Sequence, residues 1–472
     1  MQEDLKRIHQ ASMEILAETG VKFYHPEVLD LLQSKGIKVV GETAFFKEDQ
    51  VMDWISKAPS LFKIYARNPK YDMLIGQDRV EYVSCNSGFP WIADFEGTRR
   101  KAVLQDYFTF VKLVNQTPFF NMNGGVMVTP SDLTYHPIYP IMLVIALTHS
   151  DKCMFGGLGG AKESEMIMDI LQIVFGRNEE LVNKPRIVTI ISPLSPLQFD
   201  RTMLDTLLIY ARFGQPMIIA PAVMAGTTGP VTLAGSIALS NAESLAGVVV
   251  SQMVREGTPV IYGSASSASD LKTASFSIGS PESALCAAYC ARLAKSYGLP
   301  CRGGGTLNDA KSVSVQAGYE GMMVMLVAAQ EKINFILHSA GALDSYGAMS
   351  FEKYIVDLEI VGMVDRFVQG VKMDHKYLAL DVIKQVGPGG EFLSHPHTME
   401  FCRKELWGPD ISSRGPIKGK EPNEYLKENI NKKKLQMLES YSVPKFPAEV
   451  KLRLLRYLVN SGADPEIINC NI

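Results

Sequence analysis

The chain has 472 residues, 46% hydrophobic and 21% charged, enough to bury about three quarters of its unfolded surface in an enzyme-sized core. With 47 basic against 50 acidic side chains and a net charge of −3, it has no electrostatic drive toward nucleic acid or an acidic membrane. MQEDLKRIHQ is charged from its third residue and no run of 18 apolar residues follows, so neither a leader nor a membrane span is expected, and a cytoplasmic location is.

Seven cysteines, odd in number and scattered, read as reduced thiols. Cys286 and Cys290 lie one helical turn apart, but nothing nearby completes a tetrahedral metal set.

Residues 1–35 read as two helices broken at Gly20 to Pro26, and 36–76 as short strands that close one end of the main domain. From Val80 onward strands and helices alternate. Strands are predicted at 80–85, 121–128, 153–157, 187–191, 216–220, 259–262, 300–304 and 334–338. Helices are predicted at 102–114, 138–150, 161–176, 200–212, 231–256, 282–297, 313–330 and 350–374. Eight strands at intervals of about 30 to 40 residues point to an α/β fold, a (β/α)₈ TIM barrel. A doubly wound open sheet gives the same alternation, and the count of eight decides between them. The expected organisation is an N-terminal helical and small β extension (1–79), the barrel (80–375), and a C-terminal loop and helical extension (376–472). That last part carries HPHT at His395 to Thr398 and two charged helices near 422–440 and 447–460.

Loops after the strands of such a barrel form one rim, where the chemistry sits. This rim is rich in Gly, Ser and Thr and poor in charge. It assembles neither a nucleophile with its base nor a metal-ligand set. Its glycines, Gly156, Gly157, Gly159, Gly160, Gly226, Gly229, Gly303 and Gly304, with Asn308, suggest a rim shaved down for something wide and flat. GTTGP at Gly226 to Pro230 is a candidate anion nest. Phe89, Trp91, Tyr135, Phe276 and Tyr346 are candidates for an aromatic box around a quaternary ammonium. Arg302 and His338 are candidate donors to an anionic group. Lys311 is the alternative, a Schiff-base lysine of a lyase.

Four stretches taken together give a resemblance: ARNP at Ala66 to Pro69, DAKSVSVQAGYE at Asp309 to Glu320, FEKYIVDLEI at Phe351 to Ile360, and HPHT with ELWGPDISSR at Glu405 to Arg414. The chain resembles the trimethylamine methyltransferase family, whose members pass a methyl group from an amine to a corrinoid protein. Founding members carry pyrrolysine in the barrel. The corresponding place here, around Ala342 to Gly347, holds Leu343, Asp344, Ser345 and Tyr346, which points to the pyrrolysine-free branch acting on quaternary amines. The resemblance implies glycine betaine as substrate, with proline betaine, carnitine or another methylamine as alternatives. It also implies a corrinoid (cobalamin) carried by a partner corrinoid protein facing the glycine rim and no bound metal of the chain's own; a homo-oligomer is a separate expectation. Beside that reading stands a non-catalytic betaine-binding protein. A quaternary nitrogen needs no proton to leave, so no catalytic acid, base or nucleophile is expected, only positioning.

Overall fold

The computed structural model describes residues 3–133, 137–417 and 419–465. Eight parallel strands form one sheet: β1 (Glu81–Tyr82), β2 (Met122–Gly124), β3 (Cys153–Phe155), β4 (Ile187–Ile191), β5 (Met217–Ile219), β6 (Val260–Gly263), β7 (Cys301–Gly304) and β8 (Phe335–Leu337). Each of β2 to β8 lies beside its neighbour in sequence, β8 pairs with β1, and a parallel bridge from Tyr82 to Phe120 joins β1 to the chain entering β2. The sheet is therefore a closed (β/α)₈ barrel, because an open doubly wound sheet reverses its strand order at a switch point and this one does not.

Eight helices surround it: α1 (Leu104–Gln116), α2 (Tyr139–His149), α3 (Gly160–Phe175), α4 (Arg201–Arg212), α5 (Leu233–Val254), α6 (Pro281–Ser296), α7 (Val315–Gln330) and α8 (Phe351–Val368). Asp200, Ser280, Ser314 and Ser350 cap α4, α6, α7 and α8 by accepting from the amide three residues on, which satisfies a donor that would otherwise be orphaned at a helix start.

Strand alternation divides the core. Phe335 and Leu337 face the lumen with Val83, Met122, Cys153, Phe155, Val188, Ile190, Ile218 and Ile261, while Ile336 packs outward beneath the helices. The hairpin Leu61–Ile64 with Met73–Gly76 adds Phe62, Ile64, Met73 and Ile75 to the lumen cluster, so the barrel interior is filled at its lower end. Helix Glu3–Glu14 covers α5, with the Ser12 hydroxyl donating to the Ala238 carbonyl at 2.8 Å. Packed between barrel and extension, the 22-residue α5 is buried on every side from Ser236 to Met253.

Two predicted elements end four or more residues early. β2 stops at Gly124 because Gly124 and Gly125 adopt φ of +81° and +76°, which turns the chain out of the strand. α8 stops at Val368, six residues before the predicted 374, and Gly370 at φ +67° leads into a segment of short helices.

Candidate active site

β7 and β8 place the two most unusual polar side chains at the mouth. Cys301 packs outward, so alternation turns Arg302 into the lumen, where it is 2% exposed. Its Nη1 donates to the Ser264 carbonyl at 2.7 Å, and its Nε has no partner among the described residues. Burial lowers its pKa from 12.5, and no carboxylate is among the groups acting on it. A guanidinium this deep stays protonated, and a buried charge without a counter-charge costs several kcal/mol, on the order of that given for a broken buried pair.

His338 follows β8 with φ +63°, a left-handed conformation that swings its ring across the mouth. The Asn86 amide donates to Nδ1 at 3.4 Å, and the Ser87 hydroxyl lies 3.3 Å from Nε2. Burial, aided by the Arg302 charge, holds the imidazole well below its ordinary 6.5. It is neutral at pH 7, with Nδ1 accepting and the proton assigned to Nε2.

Around this pair stand Phe89, Phe276 and Tyr346. Phe89 meets His338 edge-on at 6.4 Å and Tyr346 at 6.0 Å, Tyr346 lies 5.0 Å from His338, and Phe276 lies 6.4 Å from Tyr346. Burial pushes the Tyr346 hydroxyl up while the nearby Arg302 charge pulls it down. Phe89, Phe276, Arg302, His338 and Tyr346 are thus brought together. Trp91 is not: it lies in a hairpin strand paired with Lys101 and Ala348, 37% exposed, with no ring contact to the cluster. Tyr135 lies outside the described residues.

The loops carrying these rings are braced by the DAKSVSVQAGYE stretch. The Asp309 carboxylate accepts from the amides of Ile278 (3.0 Å) and Gly279 (3.1 Å) in the sixth loop and from the Ser345 hydroxyl (2.5 Å) in the eighth. Its own amide donates to Glu320 at 2.7 Å. Asp344, Ser345 and Tyr346 are consecutive left-handed residues, φ +55°, +49° and +73°, a run that costs about 1–3 kcal/mol each unless neighbours impose it. The neighbours are Asp309, the Asn308 and Ala310 carbonyls that accept from Ser345 and Asp344, and ion pairs from Asp344 to Arg99 and Lys311. Lys311 itself is 67% exposed and paired, the reverse of the desolvated amine that Schiff-base chemistry needs.

The glycine rim has a reason other than bulk trimmed for a visitor. A Cβ on Gly156 would meet the Tyr210 hydroxyl at 2.3 Å. On Gly157 it would meet the Glu163 carboxylate at 2.2 Å and the Tyr139 ring at 2.6 Å, and on Gly159 the Glu163 carboxylate at 2.5 Å. Gly160, at φ +75°, faces Thr202 at 3.1 Å, and Gly226, Gly229, Gly303 and Gly304 face Leu271, Val223, Ile333 and Leu307 at 2.4–2.9 Å. The space belongs to the chain's own side chains. GTTGP is not a nest either: the amides of Thr227, Thr228 and Gly229 all donate to the Met224 carbonyl, and that of Gly226 to the Gly229 carbonyl. Asn308 donates to the Thr306 and Ala342 carbonyls and leaves its buried Oδ1 without a partner among the described residues, as does Asn86 its Nδ2.

Asn86 and Ser87 went unnoticed in the sequence, although they stand where β1 opens into its loop, the position at which barrel residues act. With Thr129, Leu158 and Gly159 they line a cleft of about 580 Å³. Elsewhere, burial pushes the Cys286 thiol up to about 11 and Cys290 well above its usual range, so both are protonated. His395 caps helix Pro396–Phe401 by accepting from the His397 amide. Among the described residues no three His, Cys, Asp or Glu side chains are grouped for a metal.

Comparison with known proteins agrees with this architecture. The family model described as trimethylamine methyltransferase matches residues 1–463. A glycine betaine methyltransferase of Desulfitobacterium hafniense is 39% identical over 98% of this chain and 97% of its own. A proline betaine:corrinoid methyltransferase of Eubacterium limosum is 29% identical over 96% of each. In the crystal structure of the Methanosarcina barkeri monomethylamine methyltransferase the same fold recurs, with TM-score 0.56 at 11% identity over 93% of this chain and 88% of that one. The barrel mouth braced by the Asp309 to Glu320 stretch therefore sits in an enzyme of methyl transfer, and the chain belongs to the trimethylamine methyltransferase family.

Proposed function

We propose that this enzyme moves a methyl group from glycine betaine to the Co(I) corrinoid of a cytoplasmic partner protein and releases dimethylglycine. One observation carries the reading: the buried Arg302 guanidinium has no counter-charge among the described residues. A substrate carboxylate supplies it, through the kind of charge-assisted pair that arginine makes best. Glycine betaine has that carboxylate and trimethylamine does not. The full-length relative at 39% identity that is named for glycine betaine supports the same choice.

The rest of the mouth suits the other end of a betaine. Neutral His338 donates a hydrogen bond without adding charge, and the rings of Phe89, Phe276 and Tyr346 offer π-faces to an ammonium that has no hydrogen to donate. As methyl leaves, the N–C bonding electrons stay on nitrogen and its charge fades. An aromatic wall suits this better than a carboxylate, which would stabilise the substrate more than the transition state. The corrinoid supplies the cobalt nucleophile that accepts the methyl group. Close by, Asn86 Nδ2 and Asn308 Oδ1 are a buried neutral donor and acceptor without partners among the described residues.

Tyr346 closes this site in the state described. The space shared by Arg302, Tyr346, Ser264 and Ser266 is about 10 Å³, room for about one water. A betaine reaches Arg302 only when the 344–346 turn gives way. The test is methylation of the Co(I) corrinoid protein, followed by absorbance, with glycine betaine, proline betaine, carnitine and trimethylamine. Turnover of glycine betaine ahead of the rest is expected. Trimethylamine as the best substrate, or no methylation with any of them, overturns the assignment.

A further inference from the structure

α8 starts at the eighth loop, at the mouth, and its 18 residues carry the chain about 27 Å to the barrel's base. There it releases a segment, residues 369–406, unlike any other part of the chain. No residue from 367 to 400 is buried, yet the segment is not polar. Val371, Met373, Leu378, Leu380, Ile383, Phe392, Leu393, Met399 and Leu406 are all exposed, Leu393 at 82% and Met399 at 76%, and Met363, Phe367 and Val368 at the end of α8 extend the patch.

The segment folds on itself rather than on the barrel. Lys376 pairs with Glu400, Tyr377 stacks edge-on with Phe401 at 5.0 Å, His397 stacks on Phe401 at 4.5 Å, and Gln385 meets His395. Its tether to the body is Arg366, which donates to the Gly370 and Glu405 carbonyls and the Glu405 carboxylate. An arm ordered in this way, with its apolar side chains in water, lacks the surface that would bury them.

We propose that residues 367–406 form an arm that packs against the same arm of a second copy of this chain, in an isologous interface. The corrinoid protein does not fit the place, since its macrocycle must enter the mouth and the arm lies at the opposite end of α8. Area argues the same way: the exposed apolar side chains of the arm amount to on the order of 1,000 Å². That is comparable to the roughly 800 Å² that each partner gives to a stable interface. Charge permits self-pairing, because residues 369–406 carry five Lys or Arg and five Asp or Glu and so no net charge. Such apolar surfaces characterise permanent rather than transient contacts.

The test is the mass of the full chain in solution by light scattering at about 10 μM, for wild type and for the double variants Leu393→Asp with Met399→Asp and Val371→Asp with Leu380→Asp. Wild type is expected at twice 52.1 kDa or more. Each variant is expected to halve that mass while keeping its circular dichroism and its turnover with saturating corrinoid protein. A monomeric wild type overturns the proposal, and so do variants that keep the wild-type mass, including any that lose only their hold on the corrinoid protein. Neither result depends on which betaine is the substrate.

Discussion

The mouth and the base of the barrel each leave groups without partners among the described residues, and the groups are opposite in kind. At the mouth, polar atoms are buried and unpaired: Arg302 Nε, Asn86 Nδ2 and Asn308 Oδ1. At the base, apolar side chains of the 367–406 arm stand in water. A buried orphan charge matches a small polar ligand that brings its counter-ion, and an apolar patch of this size matches a protein surface. Rigidity differs as well. The sixth, seventh and eighth loops are cross-braced by Asp309, Glu320 and Asp344, whereas the arm is tied to the body through Arg366.

The sharpest way to break the contrast is to remove the orphan charge. Arg302→Met should lower kcat/KM for glycine betaine at least a hundredfold, about 3 kcal/mol, in line with the loss of a charge-assisted contact. It should leave the melting temperature unchanged or raised, because an apolar side chain there carries no desolvation cost. A variant that loses activity and stability together would show Arg302 to be structural.

Next in size is the brace. Asp309→Ala frees the amides of Ile278 and Gly279 and the Ser345 hydroxyl, and should cut kcat/KM about ten- to a hundredfold through loose placement of Phe276 and Tyr346. Equal losses with every betaine are expected from a positioning residue, and steady-state kinetics across the series checks this. Asp309 also shows what the sequence could and could not say. Its stretch marked the family, but that its carboxylate ties the sixth loop to the eighth depends on residues 31 and 36 positions away.

The eight strands were legible because each is a short apolar run between turn residues, and the rule that chemistry follows strand ends picked out Phe89, Arg302 and His338, which lie together at the mouth. Trp91 was grouped with Phe89 by nearness in sequence, yet it pairs with Lys101 in a hairpin and with Ala348 in a small separate sheet. The rim glycines were read as clearance for a partner, whereas Tyr210, Tyr139 and Glu163 occupy the space. A vacancy at Cβ is visible in a sequence, and the side chain that fills it is not.

Smaller effects sharpen the picture of the mouth. Tyr346→Leu removes one π-face and should weaken glycine betaine binding about 3- to 30-fold, corresponding to about 0.5–2 kcal/mol. His338 should report on pH. Its folded pKa lies well below 6.5, so below that pH the unfolded chain binds a proton that the folded chain refuses, and stability falls as pH drops. His338→Gln should reduce the loss of melting temperature between pH 7 and pH 5, measured by calorimetry. An unchanged slope would mean that the imidazole is protonated in the fold.

The account rests on an unpaired cation waiting for a carboxylate, and calorimetric titration with glycine betaine and choline, which share the trimethylammonium group but not the carboxylate, tests it most directly. Glycine betaine should bind the wild-type enzyme at least a hundredfold more tightly than choline, with the difference lost in Arg302→Met. Equal binding of the two ligands, or a preference that survives in Arg302→Met, would contradict it.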